Sequence, residues 1–384
     1  MRLPKPFLLK KLQSFALRAP IDDPVHTSFG VMTDRPAVLI RAENEDGIVG
    51  WGEVWCNFPG CGAEHRAKLI ETEIAPRLVG RIIQHPREAF LDLSTELKIL
   101  VNQSAEIGPI SQALAGTDIA LWDIASQLAD QPLWKFLGGD SNEISVYASG
   151  IGPNNPALVA KSKLEEGYRE FKLKVGFNDN LDIKNLRSLR NTIGYENNLM
   201  VDVNQAWGFS EALHKIDAMS QFSLRWIEEP IPVDESIKNW KMLSDSSPSP
   251  LAGGENIIGE EEFRRVIEAR IFNYLQPDIG KWGGISLCTS VAKNVLESGM
   301  TYCPHWMGGG LGLLASAHLL AAIGGSGSLE IDANPNPLQE KLFTESPFAL
   351  RDGFLILNPE PGLGKFLNTE ILHQYRSPNF ATPN

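Results

Sequence analysis

The chain has 384 residues, 43% hydrophobic and 21% charged, with 35 basic against 47 acidic residues and a formal net charge of −12. That length exceeds one small domain and suits an α/β barrel of about 250 residues plus a cap. The acidic balance, unbroken by any basic stripe, argues against nucleic acid or an anionic membrane as partner.

No run approaches the roughly 18 apolar residues of a membrane span. The apolar stretch Phe7 to Leu9, between Lys5 and Lys10, is too short for a secretory signal, so a cytoplasmic protein is expected. Cys56, Cys61, Cys288 and Cys303 are too few for a disulfide framework and lack zinc-ribbon spacing; they read as free thiols.

Residues 1–140 read as a separate α+β domain. Val38 to Arg41 and Ile48 to Val54 flank the turn cluster Asn44 to Gly47 as a hairpin, and Ser111 to Leu128 is a long amphipathic helix. From 141 to 333, short β-prone runs alternate with helical segments, the pattern of βα units around a parallel sheet.

The eight runs are Ile144 to Ser149, Arg169 to Val175, Leu199 to Asn204, Leu224 to Glu229, Leu251 to Glu255, Phe272 to Asp278, Thr301 to His305 and Ser328 to Ile331. Helices are expected over 156–166, 181–192, 210–220, 235–244, 259–269, 285–298 and 311–322, with Ser210 as an amino-terminal cap. Such a series closes most economically into a barrel whose working face lies at the carboxyl ends of the strands. The Pro- and Asn-rich residues 334–384 are expected to return to the first domain, with a frayed end from Arg376 onward.

The strand ends carry the chemistry. Asp202, Glu228 and Glu255 end three neighbouring strands with no basic residue among them, and three ionised carboxylates in one mouth call for a cation; all-oxygen ligation suits Mg²⁺. Lys172 and Lys174 share strand parity, so each is expected to depress the other's pKa toward that of a working base. Asp278 and His305 end adjacent strands, where the carboxylate can fix the imidazole tautomer. Glu330 is read either as a protonated donor to a developing oxyanion or as a salt-bridged barrel residue. Gly308 to Gly310 offers either an anion site at a helix amino terminus or a plain tight turn.

The motifs FKLKVG (171–176), VDVNQ (201–205), WIEEP (226–230), GGEN (253–256), QPDIGKWGG (276–284) and Pro304-His305, together with GTDIALWD (116–123) and Pro132-Leu133-Trp134, resemble the mandelate racemase and muconate lactonising enzyme group of the enolase superfamily. The resemblance implies a modified TIM barrel, (β/α)7β, under an α+β capping domain, one Mg²⁺ on Asp202, Glu228 and Glu255, and a homo-oligomer. Asp278 with His305, where the lactonising branch has a strand-end lysine, looks like the mandelate racemase branch. By that likeness Lys174 and His305 flank a substrate α-carbon, Lys172 and the metal bind the carboxylate, and the enolate builds charge against Mg²⁺ and Glu330.

The implied reaction is α-proton abstraction from a small carboxylate, with sugar-acid dehydration favoured over racemisation or epimerisation. A non-catalytic barrel, or a Schiff-base aldolase using Lys172 or Lys174, is the alternative of another kind. Two capping loops are expected to choose the substrate: a lid over 22–31 with His26, Ser28 and Phe29, and 55–64 with Trp55, Asn57 and Phe58. Asn204 and Trp306 complete the expected lining, and the aromatic mouth leaves a less polar acid open.

Overall fold

The structure is a computed structural model that describes residues 4–27, 30–364 and 367–380. The cap is built on an antiparallel sheet of β1 (Phe7–His26), β2 (Val31–Asn44), β3 (Val49–Val54) and β4 (Ile82–Ile83), ordered β3-β2-β1-β4. The turn after β2 is made as the sequence suggests: Gly47 takes φ 78°, and Asn44 Oδ1 accepts the amides of Asp46 and Ile48. Helix Ile107–Leu128 lies on this sheet so closely that a Cβ on Gly52 would stand 2.1 Å from the Gly116 carbonyl oxygen; only glycine permits that approach.

The barrel strands are β5 (Glu143–Ile151), β6 (Glu170–Lys174), β7 (Asn198–Asp202), β8 (Ile227–Glu228), β9 (Leu251–Gly253), β10 (Tyr274–Leu275), β11 (Thr301–Tyr302) and β12 (Ser328–Asp332). Parallel ladders run unbroken from β12 through β5 to β11. Between β11 and β12 no backbone ladder forms among the described residues, and the seam is bridged where the Ser328 amide donates to Cys303 Sγ at 3.4 Å. The seven expected barrel helices lie within two residues of their expected limits, and the cap helix expected from Ser111 begins four residues earlier, at Ile107.

Four expectations are corrected. The helix expected from Ser210 begins at Phe209 after Gly208, whose amide donates to Glu211, so Ser210 lies inside it. The loop 22–31 is mostly strand: β1 reaches His26 and β2 resumes at Val31, which leaves a hairpin tip instead of a long lid. The tail meets the cap at once, with Pro335 O accepting from Arg35 (3.3 Å) and Leu338 and Leu342 packed with Leu17 and Leu39, but it then also joins the barrel as β13 (Phe348–Arg351) and β14 (Phe354–Leu357), a hairpin added antiparallel to β5. Its end is not frayed at Arg376: Arg18 N–H donates to Tyr375 O (2.7 Å), and Ser377 is buried with its amide on Ala16 O (2.8 Å). All four cysteines are free, and among the described residues no helix is long and apolar enough to cross a membrane.

Candidate active site

Strand register aligns the rim. Lys174 stands opposite Asp202 across β6–β7, and Asp202 opposite Glu228 across β7–β8. Lys174 Nζ donates to Asp202 Oδ2 at 2.5 Å and to Asn204 Oδ1 at 2.8 Å. One layer deeper, Lys172 is fully buried, with its ammonium 2.6 Å from Glu228, 2.7 Å from Glu330 and 3.8 Å from Asp202. It forms the counter-charge beneath the floor and is not among the residues that line the cavity.

The mutual depression expected of the two lysines does not prevail. Burial and Lys172 both lower Lys174, but Asp202 and Glu228 act against them and it stands above its ordinary value. Burial likewise disfavours a charged Lys172, yet Glu228 and Glu330 raise it well above the usual range. Glu330 is correspondingly no protonated donor. Burial would raise it, but Lys172 and His305 hold it low, and it accepts from Ser149 Oγ (2.5 Å) and the Trp306 amide (3.0 Å).

Opposite, His305 Nδ1 lies 2.7 Å from Asp278 Oδ2, while Asp278 Oδ1 accepts the amides of Gly280 (2.8 Å) and Lys281 (3.0 Å). His305 Nε2 pairs with Glu255 and lies 3.6 Å from Glu330. Burial opposes its charge, but Glu255, Glu330 and Asp278 together raise it well above its ordinary value.

Of these side chains Lys174, Glu255 and His305 open into a cavity of about 420 Å³. From the barrel, Lys174, Asn204, Glu255, Lys281, His305 and Met307 line it; from the cap, Val25, Met32, Arg35, Trp55, Asn57 and Phe58 do. Trp55 faces the ammonium of Lys281 at 4.6 Å, and Asn57 Nδ2 donates to Met307 O at 2.9 Å.

Two further expected lining residues fail. His26 is exposed on the strand face opposite Val25 and Thr27, and Trp306 is wholly buried, its indole N–H on Gly309 O at 2.8 Å. Ser28 and Phe29 lie outside the described residues. Sequence reasoning missed Arg35, whose ion pair with Asp332 (2.7 Å) has no local signal, and Lys281, which shows only as a cation after Asp278. The segment before Gly310, read either as an anion site or as a plain tight turn, is taken up by the protein's own side chain: Glu53 accepts from the amides of Gly309 and Gly312.

Among the described residues no three His, Cys, Asp or Glu side chains close as a ready metal cage, because lysines and His305 take up the carboxylates. The donor set nevertheless fits a hard cation. Asp202, Glu228 and Glu255 offer only oxygen, and neighbouring Glu229, which burial and then the charges of Glu255 and Asp202 push up to about 8, adds further oxygen atoms beside them.

The chain is thus a parallel-strand barrel that carries a lysine and a histidine on either side of a row of carboxylates at the ends of its strands. Residues 157–371 match the family model described as enolase C-terminal domain-like, and residues 11–138 that of the mandelate racemase/muconate lactonizing enzyme N-terminal domain. The chain belongs to the mandelate racemase/muconate lactonizing enzyme family of the enolase superfamily, and it is an enzyme.

It is similar to a mandelate racemase/muconate lactonizing enzyme from Bordetella bronchiseptica RB50, at 45% identity and a TM-score of 0.91 over 96% of this chain and 99% of that one. An enolase from Bradyrhizobium complexed with magnesium and mandelic acid is 26% identical, with a TM-score of 0.84 over 98% of this chain and 100% of that one. Curated relatives include the L-talarate/galactarate dehydratase of Salmonella typhimurium (30% identical, over 88% of this chain and 82% of the relative). The D-galactarolactone cycloisomerase of Agrobacterium fabrum is 29% identical over 94% of this chain and 96% of its own.

Proposed function

We propose that this enzyme dehydrates a sugar acid, an aldonate or aldarate, to a 2-keto-3-deoxy acid, with Mg²⁺ held by Asp202, Glu228 and Glu255. One observation carries the reading: along the rim the three carboxylates stand between Lys174 on β6 and His305 after β11, and both bases open into the same cavity. When bound, Mg²⁺ supplies positive charge for the negative charge that builds on the substrate carboxylate as its α-proton leaves.

Asp202, which would be one of the residues holding the metal, is the partner that keeps Lys174 protonated, and in its neutral form Lys174 takes the α-proton. His305, oriented by Asp278, gives its proton to the β-hydroxyl. The carbon–oxygen bond breaks, water departs, and the enol product tautomerises to the keto acid. Asn204, fixed on Lys174, orients the substrate beside the base. Val25, Met32, Phe58 and Met307 keep bulk water from the reacting carbons.

That apolar wall is also the observation favouring a second reading, racemisation or epimerisation of a less polar acid, with His305 returning the proton to the opposite face. A panel of aldonic and aldaric acids incubated with Mg²⁺ in deuterated buffer separates the two. Keto-acid formation that disappears with EDTA and in Lys174→Ala supports dehydration. Recovered acid carrying α-deuterium and inverted configuration, with no keto acid, refutes it in favour of racemisation.

A further inference from the structure

His305 and its orienting partner sit on links whose far ends are gripped by the cap. The link after β11 runs from Cys303 to Gly309 and enters helix Gly310–Ile323, whose first-turn amides at Gly309 and Gly312 (2.9 Å) bond to Glu53, a β3 side chain only 1% exposed. The fit leaves no slack, since a Cβ on Gly309 would stand 2.6 Å from Glu53 Oε1. Trp306 ties the middle of the same link, amide to Glu330 and indole to Gly309 O.

The link after β10 repeats the device. Beyond Asp278 it enters helix Gly284–Glu297, where Ser286 donates its amide (2.9 Å) and hydroxyl (2.5 Å) to Asp118, a buried carboxylate on cap helix Ile107–Leu128. The link after Lys174 is different: Asn178 and Asp182, both local, cap it by accepting from Leu181 (3.2 Å) and Gly176 (2.9 Å). The His305 half of the site is thus anchored from the other domain, and the Lys174 half from its own loop.

We propose that Glu53 and Asp118 are positioning residues through which the cap sets the Asp278–His305 pair, so that loosening them impairs the His305 step while sparing proton removal by Lys174. This rests on the acid/base reading of Lys174 and His305 given above.

Two variants of the full chain test it: Glu53→Gln, which leaves one amide facing an NH₂ group, and Gly309→Ala, which displaces the carboxylate without changing charge. In hydrogen–deuterium exchange followed by mass spectrometry, peptides covering 305–313 should exchange at least about tenfold faster, with those covering 170–176 unchanged. Unaltered protection at 305–313, or a uniform rise across the chain, overturns the proposal.

With any acid that the unmodified enzyme converts in deuterated buffer, keto-acid formation should fall about ten- to hundredfold relative to α-deuterium incorporation, the order expected of a misplaced catalytic group. A parallel fall in both, or in neither, overturns the proposal as well. Absence of conversion and of exchange in the unmodified enzyme defeats the acid/base reading instead, and the exchange-protection arm still decides the positioning.

Discussion

Arg35 and Asp332 form the buried ion pair that joins cap strand β2 to barrel strand β12 beside the cavity, their side chains 2% and 0% exposed and 2.7 Å apart. At an effective dielectric of about 20 the attraction at that distance is about 6 kcal/mol, and stripping water from two ions offsets it by several kcal/mol each. The pair as a whole therefore contributes little, but either partner alone is costly. Arg35→Met leaves Asp332 Oδ2 charged and dry, while its Oδ1 stays with the Asn334 amide at 2.9 Å.

The expected loss for Arg35→Met is about 3–5 kcal/mol, and the double variant Arg35→Met/Asp332→Asn should regain more than half of it. Urea unfolding followed by tryptophan fluorescence, without substrate, measures both. A single-variant loss below about 1 kcal/mol, or strict additivity in the double variant, refutes the reasoning.

Asp278→Asn should leave His305 in the wrong tautomer and lower turnover by about 10²–10⁴-fold with Mg²⁺ affinity by calorimetry little changed; a loss of metal binding instead would point to a ligand. Glu228→Gln should weaken Mg²⁺ binding by more than about tenfold, and an unmoved calorimetric titration removes Glu228 from the ligand set. Burial pushes His318 down to about 3, and its neutral Nδ1 accepts the Trp134 amide at 3.1 Å. Below its ordinary value of about 6.5 the unfolded chain binds a proton that the fold rejects, so this contribution is whole above that pH and fades as pH falls toward 3. Between pH 6.5 and 5 it amounts to about 2 kcal/mol, which His318→Asn should abolish; an unchanged pH slope of the unfolding midpoint contradicts this.

The barrel was legible because β-branched runs and amphipathic stretches alternate with few breaks from Ile144 to Ile331. The rim was legible too, since residues such as Asp202 and His305 interrupt or follow apolar strands at positions that a barrel brings together. Depth was not. Lys172 and Lys174 look alike in sequence, and only the position of Glu330, on the strand across β5, decides that the first is sealed beneath the floor. Trp306 reads as a cavity wall until Gly308 and Gly312 are seen to make room for its ring behind it. β1 escaped notice because Pro20, Asp22, Asp23 and Pro24 break its pattern where its register with β2 shifts. Arg35 and Glu53 lie in strands, and their partners come from distant segments that no local pattern connects.

The hairpin tip where β1 meets β2 brings Val25, Thr27, Met32 and Arg35 to the cavity, and none of them belongs to the barrel. On the proposed reading, part of the wall that meets the guest is thereby written on a different stretch of polypeptide from Lys174 and His305, and it can change without touching either.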